Sequence, residues 1–309
     1  MTRREVLFYT VFLVVMGAGW GITQPFTKIA VSTGYGHFGL VLWQMVIGAA
    51  LMGVICGARR VALPLNIAAL RLYLILAMVG TVLPNSISYQ AAVFLPAGIM
   101  SLLISTVPMF AFVIALALGN DHFRWRRLFG LIFGLTGVLL IVAPAVDLGQ
   151  DIPVGWAAIY LVTALFYAFE GNYVNKWGTQ GLDPFQVMFG ASLVGVVIMT
   201  PMTFSTGQFI VPVWPIQGAQ LALVAASVIH VFVYASYVWL VGRAGAVFAV
   251  QVSYMVTGFG LIWANLILGE AYAPTIWVAL ATMFAGMYLV QPRPKVALAV
   301  APVIGDTER

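Results

Sequence analysis

The chain has 309 residues, of which 62% are hydrophobic and 7% are charged, and its formal net charge is +5. Charged side chains normally cover the surface of a soluble protein, so this composition excludes a soluble enzyme, a nucleic-acid-binding module and a disordered chain. The apolar runs are continuous and about 20 residues long, as membrane-spanning helices require, whereas the strands of a membrane β-barrel alternate in polarity. The sequence therefore predicts an all-α polytopic membrane protein.

Ten apolar segments follow one another along the chain, joined by connections too short for a sizeable soluble domain. The first segment lacks a small-residue cleavage site followed by soluble sequence, so we interpret it as a retained helix rather than a signal peptide. The last apolar stretch, Val296–Ile304, is too short to span a membrane. The ten predicted transmembrane helices are Val6–Lys28, Phe38–Cys56, Leu72–Phe94, Ala97–Leu118, Leu128–Ala143, Gly155–Lys176, Pro184–Met202, Gly218–Val241, Gly245–Leu268 and Pro274–Val290.

Lysine and arginine residues fall almost entirely on one side of this predicted bundle. Basic residues near helix ends resist translocation, so the side that carries them is expected to face the cytoplasm, together with both termini. Lys28 is the exception, and we expect its side chain to extend along the helix toward the interface. The residues on the basic side are Arg3, Arg4, Arg59, Arg60, Arg71, Arg124, Arg126, Arg127, Lys176, Arg243, Arg293, Lys295 and Arg309.

The two halves of the chain resemble each other in the placement of small residues. Leu95–Gly98 opens the fourth segment and Gly242–Gly245 opens the ninth, while Gly137 and Gly286 occupy matching positions in the fifth and tenth. Five helices per half is an odd number, so the second copy enters the membrane inverted, an arrangement typical of secondary transporters. The predicted domains are a first five-helix repeat at 1–146, a second at 147–292 and a cytoplasmic tail at 293–309.

Polar and aromatic side chains inside the predicted spans are the candidates for a substrate site. Such polar groups are costly in a bilayer unless they face the bundle interior, a partner or water. Serine and threonine often bond their own backbone or a neighbouring helix, so we expect only part of the polar set to reach a cavity. The candidate substrate-binding residues are Trp20, Gln24, Gln44, Asn85, Tyr89, Glu170, His230, Tyr234, Gln251 and Tyr254.

Two ionisable residues stand out within the spans. Glu170 is the one acidic residue well inside a predicted span, and His230 lies near the middle of the eighth segment, on the same helix face as Tyr234. We hypothesise that both take part in proton coupling, because a buried carboxylate is costly when charged and imidazole changes charge near neutral pH. The alternatives are a neutral, hydrogen-bonded Glu170, a Glu170 that reaches water near Lys176, and a neutral structural histidine.

Three internal prolines, Pro25, Pro84 and Pro108, interrupt helices of the first half. Each removes a backbone donor and favours a bend, so we interpret them as gating or kink positions. The glycines between Gly130 and Gly137 allow close helix approach, and we expect this packing to lie within one chain rather than between two.

Several kinds of chemistry are missing from the sequence. There is no G-x4-G-K-[ST] loop for ATP and no H-E-x-x-H pair, and the G-x-G at Gly17–Gly19 lies inside an apolar helix rather than after a strand. The single cysteine, Cys56, excludes an intrachain disulfide. We therefore expect no cofactor and no metal.

Several short motifs occur in a recurrent order. They are Trp20-Gly21 followed by Lys28, the Tyr89–Gly98 junction, Pro108, the glycines Gly130, Gly134 and Gly137, and Leu268-Gly269-Glu270. In order and spacing they resemble the EamA-type family of the drug/metabolite transporter superfamily, over nearly the whole chain. The resemblance implies a bacterial plasma-membrane transporter of small metabolites, often an exporter of amino acids or related compounds. The departures from the family pattern are Asn120-Asp121 in place of Gly-Glu, Gln44 in place of a frequent arginine, and Thr257 in place of a proline.

Together these features predict a secondary transporter that exports small organic metabolites, such as amino acids or related amphipathic compounds, by alternating access. The alternatives are a passive channel and a membrane-embedded enzyme. Enzymatic activity is not expected, because Glu170, His230 and Lys28 lie on different helices at different depths and no nucleophile is evident. The expected partners are the lipid bilayer and a small-molecule substrate, without nucleic acid, and the chain is expected to be a monomer or a weak dimer.

Overall fold

The computed structural model describes residues 3–119, 122–123, 125–147, 153–216, 218–244 and 252–290, and every regular element in these residues is helical. This part of the chain has the all-α architecture that the apolar runs predict. Each of the ten predicted segments overlaps helical residues, in whole or in part. The elements are α1 (Arg3–Val31), α2 (His37–Ala58), α3 (Ile67–Ala77), a π-helical turn (Met78–Val82), α4 (Leu83–Phe94), α5 (Ala97–Ile104), α6 (Val107–Ala117), α7 (Trp125–Asp147), α8 (Val154–Trp177), α9 (Pro184–Ser205), α10 (Gly218–Ala244), α11 (Val252–Leu268) and α12 (Pro274–Val290).

Seven stretches of the described helices are long and apolar enough to cross a membrane. Two of these stretches combine shorter elements: Ile67–Phe94 runs from α3 through the π-helical turn into α4, and Ala97–Ala117 contains α5 and α6. Met255–Leu268 and Pro274–Gly286, in α11 and α12, are apolar but shorter. The chain is therefore a multi-pass membrane protein, and the count of ten spans stays a prediction.

Two helix interruptions in the first half lie at prolines. Pro84 has no N–H to donate to the carbonyl of Gly80, and its ring crowds that carbonyl; the π-helical turn Met78–Val82 directly precedes it. Pro108 lies at the start of α6, directly after the break that follows α5. By contrast, α1 continues as a helix through Pro25. Local rearrangements thus accompany two of the three predicted kink positions, whose part in gating stays a prediction.

Most of the helix packing joins the first half of the chain to the second. α1 packs on α10 and α11, α2 on α9, α4 and α6 on α8, and α7 on α12. Gly286 of α12 lies against the backbone of Gly130 and Gly134 in α7, because neither side carries a side chain that would hold the helices apart. Close packing of the fifth segment within the chain is thereby confirmed. The main buried cluster accordingly contains residues of both halves, such as Leu40 and Met283.

The two ends of the bundle differ in their polar contacts, and we name them accordingly. At the basic end, Arg59 of α2 pairs with Asp183 before α9 at 3.2 Å, and Nζ of Lys176 donates to the carbonyl of Leu118 at 2.7 Å. At the opposite end, which we call the Glu270 end, the loop between α11 and α12 meets the start of α5 through Glu270. These contacts mark the two ends of the bundle, to which the positions of the site residues are referred below.

Candidate functional site

Five helices enclose a small cavity between the two halves of the chain. α1, α2 and α4 come from the first half, and α8 and α10 from the second. The volume of the cavity is about 60 Å³, and all of its described lining residues except Ala226 carry a polar side-chain group. We call this space the polar cavity, and its lining residues are Thr23, Gln24, Thr27, Gln44, Asn85, Ser88, Tyr89, Tyr160, Tyr167, Ala226 and His230.

Asn85 is the centre of a hydrogen-bond network in the wall of the polar cavity. Its Nδ2 donates to Oε1 of Gln44 at 3.0 Å, and its Oδ1 accepts from the hydroxyl of Tyr167 at 2.9 Å. The hydroxyl of Tyr89 donates to the same Gln44 oxygen at 3.3 Å. Both amide side chains are buried, and an unpaired amide there would cost about 1–3 kcal/mol, so the network stabilises the arrangement of α2, α4 and α8.

Trp20 lies beside the polar cavity rather than in its lining. Its ring centroid is 6.4 Å from that of His230 and 5.6 Å from that of Tyr237. His230 lines the polar cavity and also stacks against Tyr234, with the ring centroids 6.2 Å apart. The shared helix face of His230 and Tyr234 is thus present, and an aromatic wall of α1 and α10 supports the imidazole.

A second pocket, of about 10 Å³, lies closer to the basic end and contains Glu170. Oε1 of Glu170 accepts a hydrogen bond of 2.5 Å from the hydroxyl of Tyr234, and the side chain is only 7% exposed. Tyr167 and Glu170 lie about one turn apart on α8 and line different spaces, as do His230 and Tyr234 on α10. We call this space the Glu170 pocket, and its lining residues are Met45, Leu76, Thr81, Glu170, Met188, Ala191, Ser192 and Tyr234.

Three polar residues of α8 lie at the polar cavity or beside it although the sequence did not predict them. Tyr160 and Tyr167 line the polar cavity, and Oγ1 of Thr163 donates to the carbonyl of Pro84 at 3.4 Å. Together with Glu170 they recur every three to four residues, which is the spacing of one helix face. This spacing could have predicted them, because it places them on the same helix face as Glu170, which is itself a predicted site residue. The other lining residues of the polar cavity outside the ten candidates are Thr23, Thr27, Ser88 and Ala226.

The side chain of Lys28 reaches the end of α4, and its extension to the membrane interface stays a prediction. Its Nζ donates to the carbonyls of Val93 at 3.2 Å and Leu95 at 3.1 Å, where α4 ends. Carbonyls at the end of a helix lack intrahelical donors, and a cation is favourable there. Lys28 therefore ties α1 to the end of α4, one helical turn beyond Gln24 on the Glu270 side of the polar cavity.

Glu270 binds the other side of the same junction. Its carboxylate accepts hydrogen bonds from the backbone N–H groups of Ala97 at 2.7 Å and Gly98 at 2.9 Å, in the first turn of α5. The hydroxyl of Tyr272 donates to the same carboxylate at 2.9 Å. Burial and the nearby charge of Glu270 raise the pKa of Tyr272 above its ordinary value, so the phenol remains a donor at neutral pH. The side chain of Glu270 thus anchors the start of α5 rather than the end of its own helix.

The structure brings seven of the ten predicted substrate-binding residues to the two spaces. Their function as a binding site stays a prediction. Trp20 adjoins the polar cavity, Gln251 lies outside the described residues, and so does the side chain of Tyr254. The five in the polar cavity are Gln24, Gln44, Asn85, Tyr89 and His230, and the two in the Glu170 pocket are Glu170 and Tyr234.

A multi-pass helical bundle with a polar cavity enclosed between its two halves has the features of a membrane transporter. The sequence model of the EamA-like transporter family matches the chain twice, over residues 7–143 and 154–291. The chain therefore belongs to the EamA-like transporter family, within the drug/metabolite transporter superfamily.

The chain is also similar to individual transporters and to one solved structure. The chain is 25% identical to the uncharacterized transporter YvbV of Bacillus subtilis, in an alignment that covers 100% of this chain and 97% of that protein. It is 31% identical to the uncharacterized transporter YdfC of Bacillus subtilis over 85 residues, which are 26% of this chain and 28% of that protein. A crystal structure described only as that of a protein superposes with a TM-score of 0.63 at 15% identity, covering 93% of this chain and 96% of its own. This last likeness shows the fold alone.

Proposed function

We propose that the chain is a secondary transporter that moves small organic metabolites across the bacterial plasma membrane by alternating access. The observation that carries this proposal is the polar cavity, which is formed jointly by α1, α2 and α4 of the first half and α8 and α10 of the second. A binding site between two halves changes its access when the halves rock against each other. Membership of the EamA-like transporter family supports the same mechanism.

The proposed architecture is ten transmembrane helices in two inverted repeats. In support, one family model matches each half of the chain separately. The helix contacts also follow a twofold pattern when each helix is exchanged with its counterpart in the other half. The pairs α2–α9 and α7–α12 map onto themselves, and the packing of α1 on α10 matches that of α8 on α4.

The proposed substrates are neutral, zwitterionic or amphipathic solutes such as amino acids. The described lining of the polar cavity offers amides, hydroxyls and an imidazole, and contains no lysine, arginine, aspartate or glutamate. Uncharged hydrogen-bonding groups suit solutes without a large net charge, since an unpaired charge in such a site is costly. At about 60 Å³ the cavity is far smaller than the roughly 300–1,000 Å³ of ordinary ligand pockets, so substrate entry requires the helices to separate.

We further propose that transport is coupled to protons through Glu170, with His230 as a second titrating group. Glu170 is buried against Tyr234, about one turn from the polar cavity, so its charge acts on the same helices that line the substrate site. In the proposed orientation the basic end faces the cytoplasm, following the positive-inside rule, and net movement is outward. A monomer contains both halves and hence the complete cavity.

Counterflow in proteoliposomes tests the transport proposal. Vesicles containing the purified chain are preloaded with each of a panel of unlabelled amino acids, and uptake of the radiolabelled compound is measured. Transport predicts uptake above that of empty vesicles for at least one compound, and its loss in Asn85→Leu. The matched control is Thr136→Val, because Thr136 is exposed on α7 and bonds only its own helix at Ile132. No uptake across the panel, or equal uptake in Asn85→Leu and wild type, would contradict the proposal.

A further inference from the structure

The π-helical turn Met78–Val82 lies at the boundary between the two spaces. Thr81 in this turn lines the Glu170 pocket, whereas Asn85, four residues later, lines the polar cavity. The turn interrupts the regular hydrogen bonding of the helix next to Pro84, and single π-helical turns often occur at functional sites. A change in this turn therefore has a direct path along the backbone to the substrate side.

Gly80, in the middle of the π-helical turn, lies against the carboxyl group of Glu170. Gly80 is buried, and a Cβ atom at this position would overlap both the carboxyl carbon and its oxygens. Any other residue here would force Glu170 away from the backbone. Gly171, the next residue after Glu170 on α8, has open space around its Cβ position, so close contact is a property of Gly80 and not of the neighbourhood in general.

One face of α8 contacts the segment from residue 80 to residue 85 at three points. Glu170 contacts Gly80, as described above. One turn along α8, the hydroxyl of Tyr167 donates to Oδ1 of Asn85 at 2.9 Å. One turn further, Thr163 contacts the carbonyl of Pro84. The carboxyl group and the hub of the polar cavity are thus joined both through α8 and through the backbone from residue 80 to residue 85.

Among the described residues, the titratable groups that face Glu170 are tyrosines. Tyr234 bonds to its carboxylate, Tyr237 lies on the same helix α10, and Tyr167 precedes it on α8. From α2, α9 and the π-helical turn, the described lining contributes methionines, small residues and hydroxyls, without a lysine, an arginine or a second acid. Gain or loss of a proton on Glu170 is therefore the main change of charge in this pocket.

We propose that Gly80 is a positioning residue that holds the carboxyl group of Glu170 against the π-helical turn, and that this turn relays changes at Glu170 to Asn85. A protonated carboxyl group donates a hydrogen bond, whereas a carboxylate only accepts, so the two forms interact differently with the adjacent backbone. This inference rests on the proposed coupling at Glu170 and assigns the route by which a proton affects the substrate site.

The side-chain amide of Asn85 is a direct reporter of this relay and needs no substrate. The full chain is labelled with ¹⁵N-asparagine, reconstituted in lipid nanodiscs and titrated from about pH 5 to pH 9, a range that spans perturbed carboxyl and imidazole groups. The Asn85 resonance is identified by its loss in Asn85→Asp. We expect it to shift with pH in the wild type. Any shift that persists in Glu170→Gln does not arise from Glu170 and is subtracted.

Gly80→Ala should reduce this shift to less than about one third, whereas the control Gly171→Ala should keep most of it. Glu170→Asp withdraws the carboxyl group from Gly80 by one methylene and should have the same effect without adding an atom near the turn. The double variant Gly80→Ala with Glu170→Asp returns a carboxyl group to contact with residue 80 and should recover more than about half of the shift.

Three results would overturn the proposal: a wild-type shift in Gly80→Ala, an equal loss in Gly171→Ala, or no recovery in the double variant. If Gly80→Ala does not fold, Glu170→Asp decides the question, because a wild-type shift in that variant contradicts positioning by Gly80. The counterflow assay tests the transport proposal independently of the Asn85 titration, so failure of one proposal can be distinguished from failure of the other. Gradient-independent transport with an intact Asn85 response would refute proton coupling and leave the positioning of Glu170 in place.

Discussion

The polar cavity and the Glu170 pocket are about one helical turn apart, yet they differ in chemistry. The polar cavity contains many neutral groups that bond to one another, such as Asn85 and Gln44. In the described lining of the Glu170 pocket, a single acid is hydrogen-bonded to Tyr234 among methionines and small residues. A neutral network suits recognition of a solute, and an isolated acid suits gain and loss of a proton. The difference indicates a separation of substrate binding from charge change along one set of helices.

The largest expected effect comes from making the polar cavity charged. Gln44→Arg places a cation where the structure has a neutral amide that accepts from Asn85 and Tyr89. We expect counterflow of neutral amino acids to fall by at least about tenfold, since a buried charge without a partner is costly. Gln44→Met, which removes the amide without adding a charge, should cost less. Wild-type counterflow in Gln44→Arg would show that the polar cavity is not the substrate site.

Removing the ionisable group tests the role of the Glu170 pocket. Glu170→Gln keeps a hydrogen-bond acceptor for Tyr234 but does not change charge with pH. We expect about a fivefold loss of uptake driven by a pH gradient, with counterflow at equal pH retained, because exchange needs no net proton movement. The measurement is uptake in proteoliposomes with and without an imposed gradient. Equal dependence on the gradient in Glu170→Gln and wild type would exclude Glu170 as the coupling group.

A smaller effect is expected at the Glu270 end of the bundle, about one helical turn beyond Gln24 of the polar cavity. Lys28→Met and Glu270→Gln weaken the bonds that hold the end of α4 and the start of α5. Hydrogen bonds to charged groups contribute roughly 1.5–3 kcal/mol, so each variant should lower the temperature of unfolding by several degrees. The control is Arg59→Met, whose ion pair at the basic end is partly exposed and should contribute less than about 1 kcal/mol.

Thermal unfolding in detergent, followed by intrinsic fluorescence, compares these three variants. Counterflow of the same variants shows whether these contacts affect transport in addition to the stability of the fold. Unfolding temperatures equal to that of Arg59→Met would mean that the contacts of Lys28 and Glu270 contribute no more than an exposed ion pair.

The helices and part of the site could be predicted from the sequence because both follow from the cost of polar groups in a bilayer. Apolar runs of about 20 residues predict the helices, and Gln44 and Asn85 in such runs must face the interior. Tyr160 and Tyr167 were not predicted to line a cavity. Tyrosine is common in apolar cores and at interfaces, so its presence in a span is a weak signal for a binding site.

The division into two spaces could not be predicted. His230 and Tyr234 share a helix face, and only the packing against α1, α2 and α9 decides which space each of them reaches. The contact of Gly80 with Glu170 likewise depends on a π-helical turn, which shifts the helix register in a way that no regular hydrophobic period describes. The partners of Lys28 are backbone carbonyls 65 and 67 residues away, and backbone groups leave no trace in a sequence pattern.

The smallest expected effect distinguishes two tyrosines of the polar cavity itself. The hydroxyl of Tyr167 bonds to Asn85 at 2.9 Å, whereas that of Tyr160 lies 3.4 Å from Oε1 of Gln24, near the limit for a hydrogen bond. Tyr167→Phe leaves Oδ1 of Asn85 without this donor, so we expect counterflow to fall about threefold. Tyr160→Phe should change it by less than about twofold. Equal losses in the two variants would mean that the hydroxyl of Tyr167 matters no more than that of Tyr160, which contradicts the role given to the Asn85 network.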